Sequence, residues 1–218
     1  MTRRPRILVI NPNSNETVTE GLRLALAPLT FAEGPEITCV SLAEGPVGIE
    51  TQEHVESVTL PLRRRIEADD ADAFVIACYS DPGLHVAREG TQSPVFGIAE
   101  CGVLTALTRA DRFGVIAIKS RSIPRHIRYL RQMGQMERLA GERPLEMSVA
   151  ESASGEGTLA RMIAIGRELR DLDGAGAIIM GCAGMARHRR PLEDALGVPV
   201  IDPTQAAVAM AIGTVMVR

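Results

Sequence analysis

Two cysteines stand at matching places in this chain. Cys78 closes the apolar run of "DAFVIACYSDPG", and Cys182 closes that of "AIIMGCAGMA" 104 residues later. A single cysteine at the end of a strand is ordinarily a small buried hydrophobe. A pair placed alike, each just before a turn and a helix start, can carry chemistry. A thiol near a helix N-terminus can have its pKa lowered below its usual ~8.5, which supplies thiolate near neutral pH. Two such groups on opposite faces of one carbon meet the requirement for a stereochemical inversion: one thiolate removes a proton and the opposite thiol returns one. Cys39 lies mid-strand and Cys101 in a helix, neither with a counterpart, so both read as structural.

Other polar groups gather at the same kind of place. In "INPNSNETV", Asn13 or Ser14 can cap a helix starting near Glu16, with Asn13 and Glu16 spaced as a capping box. Asn11, Asn13 and Ser14 also follow a strand, where amides and free helix N–H donors can hold carbonyl oxygens. Tyr79 and Ser80 follow the first cysteine; Ser80 and Asp81 can cap the helix after "DPG", and the Ser80 hydroxyl with nearby N–H groups can stabilise an enolate oxygen. Beside the second cysteine, Gly181, Ala183 and Gly184 offer backbone donors and room for close approach. Lys119, the only lysine, ends an apolar run near the expected cleft and joins the candidate substrate-binding set. The four histidines lack metal spacing and read as surface residues, and no metal site is expected. With neither GxGxxG nor a Walker motif, and no phosphate-cradling loop beside Lys119, no cofactor is expected.

These residues need elements to position them. Strand-length runs fall at 7–10, 37–41, 73–78 and 94–98, and again at 113–118, 145–149, 177–182 and 198–202. Continuous Val/Ile runs without polar alternation suit parallel strands covered on both faces. Helix-period segments lie between them, as in "TLARMIAIGREL". First to second strand spans 30 residues in one half (7 to 37) and 32 in the other (113 to 145). From cysteine to the following proline is 16 residues in the first half (Cys78 to Pro94) and 17 in the second (Cys182 to Pro199). The expected fold class is therefore α/β: two pseudo-symmetric lobes, each a largely parallel four-stranded sheet flanked by helices. Residues 1–99, joined by a C-terminal helix at 204–218, form the first lobe and 100–203 the second. Ligands of open parallel sheets bind beyond the strands' carboxyl ends, which places the site in the cleft between the lobes.

The 218 residues, 45 % hydrophobic with a net charge of -3, describe an ordinary globular chain with no bias toward nucleic acid or an anionic membrane. The arginines at 63–65 and at 187, 189 and 190 read as solvated helix faces. No apolar run approaches the ~20 residues of a membrane span, and the N-terminal run is too short for a signal-peptide core. Four cysteines without CxxC spacing fit a reducing cytoplasm rather than a disulfide scaffold.

The motifs "INPNS", "GPVGIET" (45–51), "DAFVIACYSDPGLHVARE" (72–89), "PVFGIAE" (94–100), "GCAGMA" (181–186) and "LGVPVIDP" (196–203) resemble the aspartate/glutamate/hydantoin racemase superfamily over nearly the full length. Within it they resemble the hydantoin and allantoin racemases. The resemblance implies a cofactor-independent racemase with Cys78 and Cys182 as its acid/base pair. It further implies a small neutral cyclic ureide as substrate, a 5-substituted hydantoin or allantoin, and a homo-oligomer. Glutamate and aspartate racemases typically place Asn-Thr and Thr-His after the two cysteines. Tyr79-Ser80 and Ala183-Gly184 stand here instead, which argues against a free dicarboxylic amino acid. Hydantoin racemases more often carry Phe-Gly where this chain has Tyr79-Ser80. Two other readings remain: another enzyme of the superfamily (an amino-acid racemase, a decarboxylase, or an isomerase using one cysteine as a covalent nucleophile), and a non-catalytic ligand-binding protein.

Overall fold

The computed structural model describes residues 3–154 and 157–217. The first two residues of the expected first lobe, 155–156 of the second and Arg218 of the expected C-terminal helix lie outside the described residues. The first half runs β1 (Arg6–Asn11), α1 (Glu16–Leu26), β2 (Glu36–Ser41), α2 (Gln52–Ser57), α3 (Thr59–Glu67), β3 (Ala73–Ile76), α4 (Leu84–Glu89), β4 (Val95–Gly97) and α5 (Ile98–Leu107). The second runs β5 (Phe113–Ala117), α6 (Ile123–Gln132), β6 (Leu139–Pro144), α7 (Val149–Ser154), α8 (Thr158–Asp171), β7 (Ala177–Gly181), a 3₁₀ segment (Ala183–His188), α9 (Arg189–Leu196), β8 (Val200–Ile201) and α10 (Pro203–Met216).

Both sheets are parallel and share one order, β2-β1-β3-β4 and β6-β5-β7-β8. The uninterrupted apolar strands are explained by what covers them. Along β1, Ile7 and Val9 point into a core between the sheets, while Leu8 and Ile10 point into an outer core under α3 and α4. Along β7, Ala177 and Ile179 join the same inner core, while Ile178 and Met180 face α8 and α9. Side chains alternate between faces, and both faces are buried, so the alternation leaves no polar trace in the sequence.

The inner core contains two helices that change sides. α5 continues from β4 yet packs on β5, β7 and β8, whereas α10 follows β8 and packs on β1, β3 and β4; the two helices also pack on each other. Small residues allow the close approach. A Cβ on Gly102 of α5 would sit 3.0 Å from the Pro203 ring at the start of α10.

One strand differs from the sequence reading. The segment 145–149 is not a strand, and the second strand of that half is β6, so first-to-second spacing is 30 residues (Arg6 to Glu36) against 26 (Phe113 to Leu139). β6 is an edge strand, "LAGERP", with every residue half-buried, and so it lacks an apolar run. The more apolar 145–149 instead crosses the end of β5, with Leu145 N–H on the Ala117 carbonyl and Met147 N–H on that of Ile118. Between them Glu146 is left-handed at φ 54°, which breaks any strand.

Candidate active site

Each cysteine lies just past one of the two central strands of its sheet. After β3 the chain passes through Ala77, whose N–H donates to the Ile10 carbonyl, to Cys78; after β7 it passes directly to Cys182. The two cysteines line one pocket with Asn13, Tyr79, Ser80 and Arg125, across the cleft between the sheets. Its cavity of about 30 Å³ has room for little more than a water or two. A wider groove of about 300 Å³ adjoins it and shares Tyr79, Ser80, Arg125 and His126 as a common wall.

The thiols are not the acidic ones that a helix N-terminus would produce. Burial pushes the Cys78 thiol up to about 12, against the opposing pull of the Ser80 N–H and, at longer range, the Arg125 guanidinium. Burial also raises Cys182, opposed by the Gly184 N–H and the Ser152 hydroxyl. α4 has only six residues and begins well beyond Cys78, so desolvation outweighs its dipole. The Ser152 hydroxyl donates to the Val149 carbonyl at 2.8 Å and lies 3.7 Å from the Cys182 sulfur.

The expected binding residues divide. Asn13, Tyr79, Ser80, Gly181, Ala183 and Gly184 line the pocket; Asn11, Ser14 and Lys119 do not. Asn11 is wholly buried behind the loop, its Nδ2 donating to Asn13 Oδ1 at 2.9 Å and Thr19 Oγ1 at 3.0 Å, so it braces Asn13. Ser14 is exposed and ties its N–H to the Pro46 carbonyl. Asn15, not Asn13 or Ser14, caps α1, and Glu16 bonds Ser41 rather than closing a capping box. Lys119 is held at 2.7 Å by Glu50, a residue from the other half that no local pattern marks as its partner. Gly181 serves the sheet, because a Cβ there would lie 2.6 Å from the Ile116 carbonyl oxygen. Asp81 does not cap the helix that follows it. Its carboxylate accepts the Ala99 and Glu100 N–H groups, both at 2.9 Å, and so caps α5.

Three residues of the site have no local sequence signature. Arg125 and His126 project from α6, and Glu142 sits on β6. Arg125 Nε donates to Ser80 Oγ at 2.9 Å; the Ser80 hydroxyl lies 3.5 Å from His126 Nε2; His126 Nδ1 meets Glu142 Oε1 at 2.5 Å. His126 also packs edge-on against the Tyr79 ring, centroids 5.2 Å apart. His126 and His188 are both buried, contrary to the surface reading. α6 is strongly amphipathic, and its length and periodicity do not distinguish a solvated Arg-His pair from one turned into a cleft. Among the described residues, no cluster of three or more His, Cys, Asp or Glu is arranged to hold a metal, and no helix is long and apolar enough to cross a membrane.

Comparison with known proteins agrees with this architecture. The family model described as Asp/Glu/Hydantoin racemase matches residues 7–211. The chain is 37% identical over 212 residues to a hydantoin racemase of Paenarthrobacter aurescens, covering 94% of this chain and 89% of that one. Among solved structures, allantoin racemase from Klebsiella pneumoniae superposes with a TM-score of 0.90 at 34% identity, covering 98% of this chain and 88% of that one. Allantoin racemase from Pseudomonas fluorescens gives 0.89 at 29% identity, with coverages of 97% and 91%.

Proposed function

The chain belongs to the Asp/Glu/hydantoin racemase family and is an isomerase; from that premise we propose that it inverts the C5 stereocentre of a 5-substituted hydantoin or an allantoin-like ureide without a cofactor, with Cys78 and Cys182 as the acid/base pair. The observation that carries this reading is the pair of thiols lining one pocket from the central strands of two facing sheets. The C5 proton of a hydantoin is flanked by a carbonyl, and the anion delocalises onto its oxygen. One thiolate takes that proton while the opposite thiol delivers another to the far face, so the product leaves the pair with its protonation exchanged. A raised thiol pKa limits how much thiolate is present but makes each thiolate a stronger base toward a weakly acidic carbon. Burial therefore exchanges abundance for basicity.

The ring carbonyls and N–H groups are served by Asn13, Ser80 and the backbone of Ala183 and Gly184, with Asn11 acting through Asn13. Lys119 belongs to the wall behind the site. The lobe division we adopt is 1–99 with 204–218 and 100–203, and we expect a cytoplasmic homo-oligomer. Chiral analysis of a panel of hydantoins, allantoin and free amino acids after incubation with pure protein tests the reading. Racemisation of a hydantoin or allantoin, unaffected by EDTA and without pyridoxal phosphate, is the expected result. Inversion of free amino acids alone, or activity abolished by EDTA and restored by a divalent metal, would overturn it.

A further inference from the structure

Among the described residues, the Arg125 guanidinium in the pocket has no ion-pair partner. α1 and α6 hold equivalent places, each after the first strand of its half, and the third residue of each lines the pocket: Val18 in α1, Arg125 in α6. Arg125 is half-buried, yet among the described residues it makes no ion pair, and Glu142 and the Cys78 sulfur act on it only at longer range. Glu50 is engaged by Lys119 at 2.7 Å and Arg121 at 2.8 Å and offers Arg125 only its backbone carbonyl, at 3.5 Å. Nη1 also reaches the Arg121 carbonyl at 3.4 Å, and Nη2 makes no hydrogen bond among the described residues. Burying a guanidinium without an anion is unfavourable, and burial accordingly lowers its pKa. Such a cation in a pocket for a neutral ligand has a use when negative charge develops there during the reaction.

Resting on the racemase reading, we propose that Arg125 is a catalytic residue whose N–H groups stabilise the enolate oxygen formed as C5 loses its proton. The C5 proton moves to the thiolate sulfur, and the C–H electron pair delocalises onto the carbonyl oxygen, where Arg125 donates. The opposite thiol then gives its proton to C5, the carbonyl re-forms, and that sulfur is left as thiolate; Arg125 keeps its proton throughout. Ser80, besides its contact with the ring, orients Arg125: its oxygen accepts from Arg125 Nε, its hydroxyl lies 3.5 Å from His126 Nε2, and Glu142 meets the His126 ring at Nδ1. The cation is thus better matched to the charged transition state than to the neutral ground state.

Barbiturate, a planar cyclic ureide that is a delocalised anion at neutral pH, mimics the enolate, and unsubstituted hydantoin mimics the neutral ground state. Calorimetric titration of both into wild type, Arg125→Gln and Arg125→Lys tests the assignment. Wild type is expected to bind barbiturate the more tightly; Arg125→Gln should weaken that binding about 10²-fold, change hydantoin binding only about threefold, and lower kcat/KM in step with the loss for the anion. Arg125→Lys should keep part of the preference, and it covers the case in which the glutamine variant fails to fold. Equal loss for both ligands, no loss for either, or a wild type without preference for the anion overturns the assignment. So does an effect confined to Cys78 alkylation, which would make Arg125 only a partner of that thiolate. Failure of the racemase reading shows separately, as wild-type protein that leaves every hydantoin and allantoin optically unchanged.

Discussion

The two sides of the pocket are built on the same plan and lined differently. On the Cys78 side a hydrogen-bonded chain runs from Arg125 through Ser80 and His126 to Glu142. On the Cys182 side stand Ala183, Gly184 and the apolar Val18, with Ser152 as the polar side chain that reaches the thiol. Under the proposed two-thiol mechanism, the duplicated scaffold supplies symmetry where inversion needs it, at the two sulfurs, and leaves the rest of the lining free to diverge. Hydantoin enantiomers are equal in energy, so kcat/KM must match in both directions. Unequal walls can still make kcat and KM differ individually.

Removing either sulfur breaks the comparison most severely. Cys78→Ser and Cys182→Ser should each lower racemisation in both directions by about 10²–10⁴-fold. In D₂O each variant should still exchange the C5 proton of one enantiomer, a different one for each, because the remaining thiol serves its own face. NMR of each pure enantiomer reads this out, and exchange of the same enantiomer by both variants would rule out opposed bases.

The polar wall can be tested through stability. His126→Leu leaves the Glu142 carboxylate, whose side chain is 1% exposed, buried without its partner, an expected loss of about 3 kcal/mol in urea unfolding. On the other side Ser152→Ala should cost only about 1 kcal/mol, since the hydroxyl it removes bonds a backbone carbonyl and a neutral thiol. Equal losses would mean that the two walls are equally rigid.

A third measurement compares the thiols by pH. Burial raises both thiols, Cys78 up to about 12, so thiolate is scarce at neutral pH. In the single-cysteine-site variants, iodoacetamide alkylation of Cys78 at pH 7 should be at least about tenfold slower than for a free thiol of pKa ~8.5 and should still climb where that thiol has levelled off, and Cys182 should also react more slowly than that thiol. A plateau near pH 8 at either sulfur would contradict the desolvation account.

The smallest contrast lies in the exchanged helices. Asp81 caps α5 from a distant loop, whereas Asp202 caps α10 from the adjacent position, accepting from Thr204 and Gln205 N–H. Replacing either by Ala should cost about 0.5–2 kcal/mol. Burial raises both carboxyls, Asp81 to about 7 and Asp202 to about 6. The folded state thus binds their protons more tightly than the unfolded chain. Their contribution to stability is complete below the ordinary aspartate pKa and is lost as pH rises through 6 to 7. Unfolding of Asp81→Ala and Asp202→Ala across pH 4–8 should show a flatter profile than wild type.

What the sequence determined by itself is local and periodic. Runs such as "ILVI" and "AFVI" can be satisfied only by strands covered on both faces, and a cysteine directly after such a run must lie at a strand's carboxyl end, so the two-sheet architecture and the positions of Cys78 and Cys182 were legible. Edge strand β6 was not, because an edge is half-solvated and needs no apolar run. The partners of the site residues were not legible either. Lys119 met Glu50 across 69 residues, Ser80 met Arg125 across 45, and Asp81 met the start of α5 across 18. A side chain's hydrogen-bonding and ionic partners depend on which elements cross in space, and a thiol's pKa on how much water that crossing excludes. Neither is a function of neighbouring residue types, so only the tertiary structure decided that burial raises both thiols and that Arg125 stands beside them without an ion pair among the described residues.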